Sequence, residues 1–298
     1  MSHLTKTIYG YYGLFEDDVV LMERAIRIEN LFSLIRDNKV SEFQSVVNQT
    51  PEALYAVNNL RQTALHIACQ YDRREILSFL LEKLPKDINA QDRFINRRDF
   101  EGFTALMDCA EHNRAECTKM LMTHQPDLKI VGYDLKRNVA HLAAQKNRAE
   151  ILRLVLSAKS SNGKQILNVD ETCKDKECRG YTPAHFAASN YADASMRVLK
   201  EFGANLNASA DGKTPLMLAF QSGSQAVAAY LLEQPEIDLT GQDRSGHLAY
   251  HYARHFRAPR SMVKNLEKMT EEQFKIKYPR LVSKQKKQAQ KASTHTKE

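Results

Sequence analysis

The chain has 298 residues and a formal net charge of +7. It contains no run of about 18 apolar residues, so no membrane-crossing helix is expected, and Met1 to Gly13 lack the charged-then-apolar plan of a secretory signal. Five cysteines, an odd number, point to reduced thiols in the cytosol or nucleus rather than to a disulfide framework.

In chain order, the pattern first predicts a helix from Phe15 to Asn30. Asp17 or Asp18 can cap it, and Val20, Leu21, Ile26 and Ile28 can pack on the next helix pair. The segment Asn30 to Val47 reads as that pair, in degenerate form. A six-residue motif then recurs: Thr63 to Ala68, Thr104 to Cys109, Asn138 to Ala143, Thr182 to Ala187, Thr214 to Ala219 and, more loosely, Leu248 to Ala253. Its fourth position is His66, Met107, His141, His185, Met217 and His251, at steps of 41, 34, 44, 32 and 34 residues. About nine residues after each, an apolar helical pattern begins, at Glu75, Glu116, Glu150, Ala194, Ala226 and Arg260. The same five steps separate these second segments, so the two patterns are in phase. Thr270 to Gln273 has the form of a capping box and predicts a short helix to Lys277, ended by Pro279. Beyond it, Ser283 to Glu298 is rich in Lys and Gln, has no apolar periodicity and is expected to be disordered.

A period near 33 residues with this six-residue core resembles the ankyrin-repeat family. The resemblance covers residues 30–268. It implies an all-α repeat solenoid in which each unit has a β-turn or hairpin finger, an inner helix and an antiparallel outer helix. Seven units are expected, the first and last divergent, since the end units of a solenoid need a polar outer face. The expected organisation is an N-terminal helical cap (1–29), the repeat domain (30–268), a short C-terminal helical cap (269–282) and a basic disordered tail (283–298). Gly102, Gly180, Gly212 and Gly246 stand two residues before the Thr slot, where a turn needs positive φ. Arg61 and Lys136 replace glycine there, so those two turns are expected to depart from the pattern. The long steps place insertions at 86–100 and 158–179. The first reads as a lengthened finger, because Ile-Asn-x-x-Asp occurs twice; simple loop drift is the alternative for both.

Other chemistry competes with this reading. The resemblance implies that the His slot bonds to neighbouring backbone and ties adjacent turns together. His247, His251 and His255 have i, i+4, i+8 spacing, but further metal ligands are lacking. Cys173 and Cys178 form a C-x4-C pair in a charged loop expected to be exposed, which leaves zinc, redox or unpaired roles open. No nucleophile elbow, phosphate-binding loop, zinc-protease or kinase motif is present, so no enzyme activity and no cofactor, metal or small-molecule substrate is expected.

The expected function is a monomeric cytoplasmic scaffold or adaptor that binds another protein on the concave face of the solenoid. The contact residues expected from the register are Arg61, Phe103, Lys136, Arg137, Arg179, Tyr181, Lys213 and Arg244 at the fingers. Tyr71, His112, Gln145, Asn190, Tyr191, Gln221 and His255 are expected at the inner-helix ends. Basic fingers suggest an acidic partner surface, with Phe103, Tyr181 and Tyr191 as aromatic anchors. The alternative is a regulatory or targeting subunit, including a bacterial effector delivered into a host cell. Its basic tail would address the nucleus, nucleic acid or an anionic membrane.

Overall fold

The computed structural model describes residues 16–279, except 86, 135 and 161. The expected tail, 283–298, lies outside the described residues, as does the first half of the expected N-terminal cap. Among the described residues the chain is all-helical; β-structure is limited to isolated bridges between Lys159 and Gln165 and between Ala210 and Lys213. It divides into two compact units, Met1–Asp134 and Leu135–Glu298.

Unit 1 contains α1 (Glu16–Arg36), α2 (Val40–Gln49), a 3-10 turn (Pro51–Tyr55), α3 (Ala64–Gln70), α4 (Arg74–Glu82), α5 (Ile88–Ile95), α6 (Ala105–His112) and α7 (Ala115–Met122). Unit 2 contains α8 (Val139–Gln145), α9 (Ala149–Leu156), α10 (Pro183–Ser189), α11 (Asp193–Glu201), α12 (Pro215–Ser222), α13 (Gln225–Leu232), α14 (Ala249–His255) and α15 (Arg260–Lys277). Inner helices α3 and α6 pack together in unit 1, and α8, α10, α12 and α14 pack in series in unit 2. Helices this short are marginal alone and hold through packing. Alanine at the contacts, including Ala68, Ala143, Ala187, Ala219 and Ala253, is buried and lets the backbones approach. The outer helices bury one stripe each, such as Ile76, Leu77, Leu80 and Leu81 in α4 and Ile151, Leu152, Val155 and Leu156 in α9.

The inner helix turns into the outer one through a single left-handed residue: Asn38, Asp72, Asn113, Asn147, Tyr191, Gly223 or Arg257. Each finger has another left-handed residue, at Arg61, Gly102, Lys136, Gly180, Gly212 or Gly246. Arg61 and Lys136 therefore keep the turn they were expected to lose. At Arg61 the turn is held by Asn58, whose Oδ1 accepts the amides of Leu60 (3.0 Å) and Gln62 (2.9 Å). Asp99 and Asp243 repeat this arrangement in later fingers. Glycine is required most strictly where fingers touch. A Cβ on Gly102 would lie 2.5 Å from the Tyr133 nitrogen, and one on Gly212 would lie 2.7 Å from the Arg244 nitrogen.

Three expectations change. The first helix does not stop at Asn30: α1 runs unbroken to Arg36, with no Gly or Pro to break it, and its last turns bury Leu31, Phe32 and Ile35. At the other end, the short helix expected from Thr270 is the second half of α15. Thr270 is buried there and donates its hydroxyl to the Leu266 carbonyl (2.6 Å) instead of capping a new helix. The 86–100 insertion is a helix rather than a lengthened finger. Asp87 caps α5 by accepting the Asn89 amide (2.9 Å), and Phe94 and Ile95 are buried, with Phe94 edge-on to Tyr55 at 5.7 Å.

One buried group opposes the fold. Asp108 in α6 is 3% exposed, and its Oδ2 has no hydrogen-bond partner among the described residues. Burial holds its carboxyl well above the usual range, against a hydrogen bond from Gln70, and Asp99, Glu101 and Glu111 push the same way. A raised acid pKa favours the folded state at low pH and costs stability as pH rises through the folded value. Asp108→Asn is therefore expected to stabilise the protein at neutral pH by roughly 1–3 kcal/mol in urea unfolding. The gain should shrink as pH falls from the folded value towards about 4 and be absent below it, where the carboxyl is neutral in both states. A pH-independent difference would contradict this origin.

Candidate protein-binding surface

The residues at the fingers and inner-helix ends are positioned by the Thr and His slots. In α3, His66 Nδ1 accepts from the Thr63 amide (3.1 Å) and hydroxyl (2.8 Å), while Nε2–H donates to the Phe103 carbonyl in the next finger (3.0 Å). In unit 2, His141 and His185 repeat the forward bond to the carbonyls of Glu171 (3.0 Å) and Lys213 (3.2 Å). At His66 and His185 this needs a donor at Nε2 and an acceptor at Nδ1, so the ring is neutral. Desolvation brings His141 and His185 down to about 4, although the carbonyl bonds oppose it, and burial likewise lowers His66.

These ties set fingers against inner helices and order side chains between them. Arg137 donates to Gln145 Oε1 (2.8 Å) and lies over the Phe186 ring at 4.5 Å. Tyr181 stacks on His185 at 5.2 Å and meets Phe186 edge-on at 5.6 Å. Lys213 donates to Gln221 Oε1 (3.0 Å) and faces Tyr252 at 5.9 Å. Arg137, Gln145, Tyr181 and Lys213 thus form a partly covered basic and aromatic layer rather than free projections.

Other expected contact residues divide clearly. Arg61, Tyr71 and His112 are exposed in unit 1, as are Lys136, Arg179, Asn190, Tyr191, Gln221, Arg244 and His255 in unit 2. Arg244 pairs with Asp211 (2.6 Å), and Asn190 donates to the Phe186 carbonyl (2.9 Å). Phe103 is a correction: it is 7% exposed and cannot anchor a partner. Its amide donates to Asp99 Oδ1 (2.8 Å), its carbonyl accepts from His66, and its ring covers Gly132, so it forms the base of a finger.

The 158–179 insertion also differs from its expected exposure. Cys173 and Cys178 are buried, with sulfurs 3.7 Å apart, and pack on Phe186 and Tyr181. Backbone bonds from the Cys173 amide to the Tyr181 carbonyl (2.7 Å) and from the Gly180 amide to the Cys173 carbonyl (2.9 Å) build them into the finger base. Burial pushes the Cys178 thiol up to about 11. Sequence reasoning also missed a cleft of about 700 Å³ beside the C-terminal end of α14, lined by Tyr252 and Phe256 among others. Only its charge was legible: Arg254, His255 and Arg257 are residues that a buried helix end would not carry.

Paired antiparallel helices, joined by fingers and tied by a buried histidine, define a helical-repeat binding protein. The family described as "Ankyrin repeats (3 copies)" matches residues 140–243, and the family described as "Ankyrin repeat" matches residues 60–90. The ankyrin repeat domain of Bcl-3 has the same fold, with a TM-score of 0.62, 22% identity and coverage of 80% of this chain and 97% of that domain. XBOS32, a probable E3 ubiquitin-protein ligase of Oryza sativa subsp. japonica, is 28% identical over 198 residues, 60% of this chain and 38% of that protein. Rabankyrin-5 of Mus musculus is 39% identical over 74 residues, 24% of this chain and 6% of that protein. The chain is an ankyrin-repeat protein. Its repeats are a protein–protein interaction module, on a fold that generally serves as a non-catalytic scaffold. The matched segments span well under half of these curated relatives. Among the described residues no helix is long and apolar enough to cross a membrane.

Neutral buried histidines give the stability a pH signature. His141 and His185 titrate near 4 when folded, whereas a free histidine titrates near 6.5. The unfolded chain thus takes up protons first. Stability is complete above about pH 6.5 and declines as pH falls towards about 4, by about 2 kcal/mol per histidine near pH 5. Urea unfolding at neutral pH and near pH 5 should show this loss, and His185→Gln should remove about one histidine's share of it. An unchanged slope in that variant would contradict the assignment.

Proposed function

We propose that this chain is a non-catalytic adaptor, a monomer in the cytoplasm, that captures a partner protein on the fingers and inner-helix ends of its second unit. One observation carries the reading. The left-handed slot after each inner helix holds Asn, Asp or Gly in five of seven places, residues that tolerate positive φ. Tyr191 and Arg257 are the two exceptions, and both are exposed on this face. Tyr191 has φ +59 and remains 62% exposed, held by its hydroxyl bond to the Ser222 carbonyl. A bulky side chain in this slot costs about 1 kcal/mol with little burial to offset it, which is the pattern expected of a residue kept for binding. In the finger slot the two replacements of glycine, Arg61 and Lys136, are also exposed, and both are cationic. Basic and aromatic exceptions support an acidic partner surface.

A regulatory or targeting subunit is the second reading, supported by the relatives named as probable E3 ubiquitin-protein ligases. The same face would then present a partner to an enzyme domain. A nuclear address or delivery into a host cell belongs to this reading, as does contact of the basic segment after Lys275 with nucleic acid or an anionic membrane.

Tyr191→Asn tests the adaptor face. The variant should unfold at equal or higher urea, by up to about 1 kcal/mol, because Asn suits the left-handed slot. Affinity capture with quantitative mass spectrometry should nevertheless recover at least about tenfold less of the main partner. Unchanged recovery by a folded variant would sink this choice of face.

A further inference from the structure

The inner-helix face of unit 2 carries a cleft that supplies more than general basicity. It lies at the C-terminal end of α14 and has a volume of about 700 Å³. Tyr252 and Phe256, with rings stacked at 6.2 Å, form its apolar wall. His247, Arg254, His255 and Arg257 stand around that wall, and among the described residues no carboxylate lines it. Phe256 is 41% exposed, although phenylalanine is among the side chains most often buried. Arg257 is one of the two side chains forced into the left-handed slot, with φ +58. Among the described residues, neither Arg254 nor Arg257 forms an ion pair.

The adjacent acid, Asp243, is already matched. Its Oδ2 accepts the Tyr252 hydroxyl (2.7 Å) and lies 3.4 Å from His247 Nδ1, and its Oδ1 accepts the amides of Ser245 and His247 (2.8 Å each). Burial raises its pKa, but these bonds outweigh burial and bring it down to about 2. Asp243 therefore orients Tyr252 and His247 as part of the wall. The Tyr252 hydroxyl, engaged in this bond, is pushed above its usual range by burial and by Asp243.

We infer that this cleft binds an acidic peptide segment of the partner, seating one aromatic or aliphatic side chain against Tyr252 and Phe256 and its flanking carboxylates against Arg254, Arg257 and His255. The charge pattern selects an anion, and the aromatic wall selects against a bare one. A small inorganic anion would be held by exposed, screened cations alone and would leave the apolar surface wet. A peptide that combines both features fills both, as anchor-and-rim interfaces do. The assignment rests on the adaptor reading and specifies the chemistry of its partner.

Fluorescence polarisation with the full chain tests it. The probe is a short labelled peptide of glutamates around one central phenylalanine. The comparison peptides replace that phenylalanine with alanine, or the glutamates with lysines, and inorganic phosphate serves as competitor. The phenylalanine peptide should bind at least about tenfold more tightly than the alanine peptide, and the lysine peptide should not bind. Affinity should fall with added salt and drop about tenfold or more in R254E/R257E. Phe256→Ala, at an exposed site, should lose the preference for phenylalanine. Equal binding of the first two peptides, displacement of the probe by phosphate, or undiminished affinity in folded R254E/R257E would overturn the inference. Tyr191→Asn separates this claim from the adaptor reading, because it should leave the probe's affinity intact. If partner capture is unaffected by Tyr191→Asn while the probe still requires Arg254 and Arg257, the adaptor face fails and the cleft stands. If capture is lost and the probe does not bind, the adaptor face stands and the cleft inference is overturned.

Discussion

The neutral imidazole of the His slot is the interaction on which the repeats depend. His66, His141 and His185 each accept from the residue that starts their own helix and donate to a carbonyl of the following finger. One buried ring thus sets two things at once: where an inner helix begins, and how far away the next finger sits. The helices have only seven or eight residues on the inner side and would not hold their positions by backbone bonds alone. Arginines at the starts of the outer helices support the same register. Arg73 donates to the Ile35 carbonyl (3.2 Å) and Arg114 to the Gln70 carbonyl (3.0 Å), which satisfies carbonyls at the ends of preceding helices.

A scaffold tied this way leaves particular positions free to vary. Buried alanines, and the histidines where that slot holds one, cannot change without loosening a joint. Finger residues and inner-helix ends can, and in unit 2 they have become basic and aromatic. The left-handed slots make the distinction sharp, because there the cheap residues are known on physical grounds. Asn38, Asp72, Asn113, Asn147 and Gly223 follow those grounds, while Tyr191 and Arg257 depart from them on an exposed face.

The repeat, its phase and its helix starts were legible in the sequence, because small residues at close contacts and apolar stripes recur at a fixed spacing. Gly102 and Gly212 were legible as turn residues for the same reason, although the closeness of the neighbouring finger was not. What could not be read depended on contacts between segments distant in sequence. Phe103 looks like an exposed fingertip until Asp99, His66 and Gly132 are seen around it. Cys173 and Cys178 sit in a charged loop, yet Phe186 and Tyr181 cover them. The second Ile-Asn-x-x-Asp copy suggested a finger, but Asp87 caps a helix whose Phe94 and Ile95 find a core. The cleft was hidden because Tyr252 occupies a slot that is buried in other repeats, as Leu142 and Phe186 are.

The central claim is that the second unit binds its partner with fingers and inner-helix ends while its outer helices face elsewhere. Hydrogen–deuterium exchange of the full chain, with and without its captured partner, tests this most directly. The account predicts slowed exchange at residues 189–191, 221–223 and 254–257, with α9 and α11 unchanged. Protection confined to α9 and α11, with those turns exchanging as in the free chain, would contradict it.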